Sequence, residues 1–146
     1  MVDRKIIEEW LAKADEDFGF ASSVSEFSDY YGQICFHYQQ AAEKYLKAFI
    51  IAKDLEFKKI HDLSELLKLG VCEEPALSGI EEDCLFLNRF YIDTRYPVHW
   101  PVNYTGEVVS AAKSAASNIS RMVRKLLKDC PGQRIEMRVE GKNINS

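Results

Sequence analysis

No stretch of this chain approaches the roughly 18 to 20 uninterrupted apolar residues that span a bilayer. Its opening, MVDRKIIEEW, sets charges where a secretory leader needs an apolar run. The expectation is a cytoplasmic protein that does not enter a membrane. Cysteine pairing is also missing: Cys35, Cys72, Cys84 and Cys130 form no CxxC and follow no regular spacing. Cys35 and Cys84 sit inside apolar helical patterns, where a thiol behaves as a small hydrophobe, so they read as reduced. His37, His61 and His99 lack zinc-ligand spacing, and HExxH, P-loop, GxSxG and GxGxxG motifs are all absent. No metal or cofactor is expected. There is no basic surplus: 19 Lys and Arg stand against 23 Asp and Glu, a net charge of −4, so no global field draws the chain to nucleic acid. A local basic patch stays open, because net charge averages over faces.

What is present is helical periodicity. At 146 residues, 47% hydrophobic and 29% charged, the chain fits one ordinary globular domain with one core. Ile7, Trp10, Ala14, Phe18 and Ala21 recur at three- and four-residue steps up to a turn at Ser28-Asp29. From about Tyr30 to Ala52, Ile34, Tyr38, Ala41, Tyr45 and Ala48 make one stripe, and Cys35, Ala42, Leu46 and Phe49 widen it. Asp62 with Glu65 reads as a capping box for a short helix through Leu69, with Gly70 as its stop. A fourth helix is predicted from about Ala76 to Thr94, ending before Tyr96-Pro97. The last starts near Asn103 or Thr105 and carries Val108, Ala112, Ala115, Ile119, Met122 and Leu126. Long helices on short connections predict an all-α, antiparallel up-and-down four-helix bundle with an additional short helix. The bundle should occupy residues 1–130, with a mobile tail over 131–146, where Pro131-Gly132 follows the last helix.

Two clusters could carry chemistry. His37, Gln40, Lys44 and Lys47 fall at steps of three, four and three, on one stripe beside the apolar face of the second helix. Two cations, an amide and an imidazole suit a phosphate; the competing reading is a solvated flank with Glu43 and Lys47 as an i, i+4 pair. The second cluster is the run Asn88 to Pro101, where Arg95 would hold a phosphate while His99 moves a proton. The same residues would equally serve to lock the crossover into the last helix. His61 beside Asp62 resembles a dyad, but Asp62 is explained as a cap and neighbours on a helix do not face each other.

The run Phe36-His-Tyr-Gln-Gln-Ala-Ala-Glu-Lys-Tyr-Leu-Lys-Ala-Phe49 resembles the second-helix signature of HEPN domains. Ala14 to Ala21, Ile60-His-Asp-Leu63 and Tyr91-Ile-Asp-Thr-Arg-Tyr-Pro97 match the same pattern in order, so the resemblance spans about residues 10 to 128. It implies a four- or five-helix bundle, commonly a homodimer, often encoded beside a small nucleotidyltransferase, several such pairs behaving as toxin and antitoxin. Many members are metal-independent endoribonucleases with an Arg, four to six residues, then His; others bind nucleotides or partner proteins. Between Arg95 and His99 stand only Tyr96, Pro97 and Val98, which misses that spacing. The leading expectation is therefore a binding module. It would engage a nucleotide, a small nucleotidyltransferase partner, or both, through His37, Gln40, Lys44, Lys47, Tyr91, Arg95 and Tyr96, with the two tyrosines stacking on a base. The alternative is an endoribonuclease acting on RNA through Arg95 and His99.

Overall fold

The computed structural model describes residues 2–57, 59–93 and 103–128. The segment with Arg95, Tyr96 and His99, and the tail over 131–146, lie outside them. The described elements are α1 (Arg4–Val24), α2 (Tyr31–Ala52), α3 (Leu63–Glu73), a 3-10 segment (Pro75–Ile80), α4 (Glu81–Asn88), α5 (Phe90–Asp93) and α6 (Gly106–Lys128). No strand occurs among the described residues.

Local chemistry sets the helix ends. The Asp3 carboxylate accepts from the Lys5 amide at 2.9 Å, and that of Asp62 from the Ser64 and Glu65 amides at 2.8 and 3.3 Å. Thr105 Oγ1 accepts from the Val108 amide at 3.2 Å. Each acceptor satisfies a donor that the first helical turn leaves without a partner. The end of α2 is less expected. Asp54 adopts φ 61°, its amide donates to the Ile51 carbonyl, and the Leu55 amide donates to the Ile50 carbonyl. This is a Schellman stop with aspartate in the left-handed position where glycine is commoner.

Side-chain pairs fix the packing order. Ser22 meets Tyr38, Asp17 meets Lys44 and Asp15 meets Tyr45, so α2 runs antiparallel to α1. Asn118 reaches Asp83, and Met122 lies against Gly79, so α6 runs antiparallel to the 3-10/α4 segment. α1, α2, the 3-10/α4/α5 run and α6 thus alternate in direction, with α3 as the additional short helix. α2 is the central element, with Cys35, Tyr38, Ala41, Ala42, Leu46, Ala48, Phe49 and Ile50 fully buried. A helix apolar around most of its circumference must be enclosed by neighbours.

Three expectations are corrected. α3 does not stop at Gly70; it continues to Glu73 with Gly70 buried. A Cβ there would lie 2.4 Å from Leu77 Cδ2, so the glycine serves close approach of the 3-10 segment. The fourth helix is not continuous: Pro75 opens a 3-10 segment and the helix breaks again at Arg89. Beside that break the Asn88 side chain is committed to α3, its Oδ1 accepting from the Leu63 amide at 2.8 Å and its Nδ2 donating to Asp62 at 3.0 Å. On α6 the buried line is Val109, Ala112, Ala115, Ala116, Ile119, Val123 and Leu127. Val108, Met122 and Leu126 sit at its margin.

Candidate functional site

The second-helix stripe is where α2 meets α1 on one side and the α3 lead-in with α5 on the other. His37 and Lys44 turn toward α1. The Lys44 ammonium donates to Asp17 Oδ2 at 2.5 Å, and His37 Nδ1 lies 3.4 Å from Asp17 Oδ1. Phe20 and Phe36 flank the His37 ring edge-on, with centroids 4.8 and 5.6 Å away. Gln40 Nε2 donates to Gln39 Oε1 at 2.8 Å and reaches Glu43 Oε1 at 3.4 Å. Gln39 itself is fully buried, and its Nε2 has no hydrogen-bond partner among the described residues.

Lys47 departs from the solvent-facing stripe. Its side chain is only 8% exposed and donates to Glu43 Oε2 at 2.7 Å. Its ammonium lies 5.0 Å from the Phe57 ring centroid and 6.0 Å from that of Trp10. The i, i+4 pair anticipated as a surface feature is therefore an interior one. A buried pair of this kind costs desolvation, which its Coulomb attraction offsets only if the remaining polar atoms are bonded. On the carboxylate side they are: Glu43, 7% exposed on its side chain, also takes Gln40 and His61.

His61 is a functional candidate that its sequence neighbours conceal. Its Nδ1 lies 2.9 Å from Glu43 Oε2, and its ring is stacked on Tyr91 at 5.2 Å and 11°. Asp62 beside it is committed to the α3 cap, as the sequence implied. The missed partner, Glu43, is 18 residues upstream. The only sequence signal was the coexistence of Glu43 in the helix signature with the Ile60-His-Asp-Leu63 lead-in, which names no contact. Tyr91 also faces Phe36 at 6.5 Å, so Phe20, His37, Phe36, Tyr91 and His61 form a continuous ring chain along this flank. Of the expected ligand residues, the structure brings together His37, Gln40, Lys44 and Tyr91. It turns Lys47 inward. Arg95, Tyr96 and His99 fall outside the described residues.

A shallow groove of about 560 Å³ adjoins the flank, lined by Glu9, Trp10, Ala12, Lys13, Glu16 and Lys44. No group of three or more His, Cys, Asp or Glu side chains able to hold a metal occurs among the described residues. The free thiols are poor nucleophiles where buried: burial raises Cys35 to about 11, against an opposing pull from Arg89, and raises Cys84 to about 12. A separate network ties α1, α2 and α6. Tyr45 donates to Asp15 at 2.6 Å, and Arg124 donates to Asp15 at 2.7 Å and to Ser120 at 2.7 Å. Burial, reinforced by the Asp15 hydrogen bond and charge, raises Tyr45 to about 12.

The fold and flank define an all-helical bundle protein whose central helix is flanked by two carboxylate-anchored imidazoles beside an aromatic row. Residues 7–126 match the model of the HEPN domain, and the chain belongs to that family. Similar solved structures include ST0689, an archaeal HEPN homologue. It shares 28% identity and a TM-score of 0.67, over 82% of this chain and 96% of that one. TT1696 from Thermus thermophilus shares 27% identity and a TM-score of 0.69 over the same proportions. No curated protein matches. Among the described residues, no helix is long and apolar enough to cross a membrane.

Proposed function

We propose that this HEPN chain is a nucleotide-binding module whose site is the α2 flank. The supporting observation is the combination there of His37, Gln40 and Lys44 with the ring chain ending in Tyr91, which offers hydrogen-bonding groups for phosphate next to aromatic faces for a base. Base–aromatic stacking contributes about 1–3 kcal/mol where it occurs. Arg95 and Tyr96, following α5 in the chain, complete the ligand set, and Lys47 acts from beneath by fixing Glu43. The module works as a homodimer and docks a small nucleotidyltransferase in a toxin–antitoxin-type pair; the family resemblance is what supports this part.

Thermal denaturation with a panel of nucleotides tests the ligand. A ligand at 100 times its Kd adds roughly 2.7 kcal/mol to stability, a readily measured shift. The expected result is a raised melting temperature with at least one nucleotide, reduced in Lys44→Ala. A panel that leaves wild-type melting unchanged at millimolar concentrations refutes nucleotide binding.

A further inference from the structure

The flank contains the same three-residue arrangement twice. Lys44, Asp17 and His37 make one unit, and Lys47, Glu43 and His61 make the other. In each, a lysine and an imidazole Nδ1 converge on one carboxylate. A carboxylate only accepts, so Nδ1 carries the hydrogen and donates, which leaves Nε2 as the free edge of the ring. Neither Nε2 has a hydrogen-bond partner among the described residues. Both rings reach solvent, with side chains 31% exposed for His37 and 46% for His61.

The charge arithmetic is the same in both units. Lysine (+1) and carboxylate (−1) cancel, so a unit is neutral while its imidazole is neutral and +1 once Nε2 takes a proton. Among the described residues, the charged groups facing the rings are few. Around His37 they are Asp17 from α1 and Lys44 from α2; around His61 they are Glu43 and Lys47 from α2, with Asp62 next in the chain and held by the α3 amides and Asn88. The aromatic neighbours are Phe20 and Phe36 on one side and Tyr91 on the other. Because each lysine is already matched, the imidazole proton decides whether the unit attracts an anion.

The geometry points to a proton-coupled phosphate site: His37 and His61 bind phosphoryl oxygens by donating Nε2–H to them, and the protein takes up protons as the phosphorylated ligand binds. This rests on the reading of the α2 flank as the ligand site and adds His61 to it. Anion binding favours the imidazolium, so each proton coupled to binding weakens affinity by up to about tenfold for each unit that the pH is raised.

The test is calorimetric titration of inorganic triphosphate, and separately of ATP and adenosine, into the full chain in buffers of different ionisation enthalpy. Wild type is compared with His37→Gln and His61→Gln. Subtracting variant from wild type removes the ligand's own protonation. Nitrogen-correlated NMR of the histidine rings reports Nε2 directly, and melting curves check that each variant folds. The expected result is triphosphate binding with proton uptake, lowered in each histidine variant, with Nε2 resonances of His37 and His61 shifting in wild type. Binding of triphosphate and ATP with uptake equal in wild type and variants, and ring resonances unmoved, overturns the proposal while leaving nucleotide binding intact. Triphosphate binding with histidine-dependent uptake, and ATP no tighter, supports it while removing the base-stacking part of the nucleotide reading. No binding of either probe at acidic or neutral pH overturns both.

Discussion

Gly70→Ala and Gly19→Ala are the same substitution inside two helices, and the structure assigns them opposite signs. Gly19 lies on the exposed face of α1, where an added Cβ meets nothing within 4 Å. Replacing it with alanine removes backbone freedom from the unfolded chain and should stabilise by about 0.5–1 kcal/mol. At Gly70 the same entropic gain is available, but the new Cβ would sit 2.4 Å from Leu77 Cδ2 and 3.3 Å from Phe49 Cε2. Leu77 and Phe49 are both fully buried, so neither side chain has open space to retreat into. Overpacking of this kind costs about 1–3 kcal/mol, leaving a net destabilisation of about 1–2 kcal/mol. Urea or thermal unfolding of both variants measures the contrast. A loss of that size lowers the melting temperature by roughly 3–8 °C. The double variant Gly70→Ala/Leu77→Ala isolates the cause: with the clashing methyl gone, the alanine at position 70 should become nearly neutral or favourable relative to Leu77→Ala alone. Equal stabilisation by Gly70→Ala and Gly19→Ala would refute the close approach of α3 to the 3-10 segment.

Tyr45 gives a pH prediction with a definite sign. Its folded-state value is raised from 10.0 to about 12, chiefly by burial, so its contribution to stability is complete below pH 10 and is lost as pH climbs from 10 toward 12. Tyr45→Phe should flatten that part of the stability profile measured by urea titration; an unchanged alkaline slope would contradict it. The ribonuclease alternative is decided by incubating labelled RNA with the chain in EDTA. If Arg95 and His99 are catalytic, cleavage persists in EDTA and is lost in His99→Ala; cleavage that survives both conditions excludes the assignment.

Much of the bundle was legible because periodicity is local. The α2 stripe, the Asp62 cap and the Thr105 cap each depend on residues within a few positions of one another, and the sequence displays them directly. What failed shares one cause. Gly70 looks like a helix stop because glycine usually marks ends, but its role is set by Leu77 and Phe49, which arrive from other elements. The end of α2 at Ala52 was legible, but the form of its stop was not: Asp54 takes the left-handed conformation without the glycine that would announce it. The break at Arg89 follows an asparagine recruited by α3, a partner 25 residues away.

The same logic governs the site. Spacing placed His37, Gln40, Lys44 and Lys47 on one stripe, but spacing alone cannot say which side chain has a carboxylate waiting for it. Asp17 lies 27 residues from Lys44, and His61 lies 18 residues from Glu43. Once those carboxylates are in place, a row that reads as two free cations becomes two neutral lysine–carboxylate pairs. Lys47 makes the point most directly. With its ammonium buried against Phe57 and matched to Glu43, it cannot meet a ligand without breaking an interior ion pair. Removing one partner of such a pair costs about 3–5 kcal/mol. What Lys47 does is hold Glu43, the same carboxylate that fixes the His61 ring.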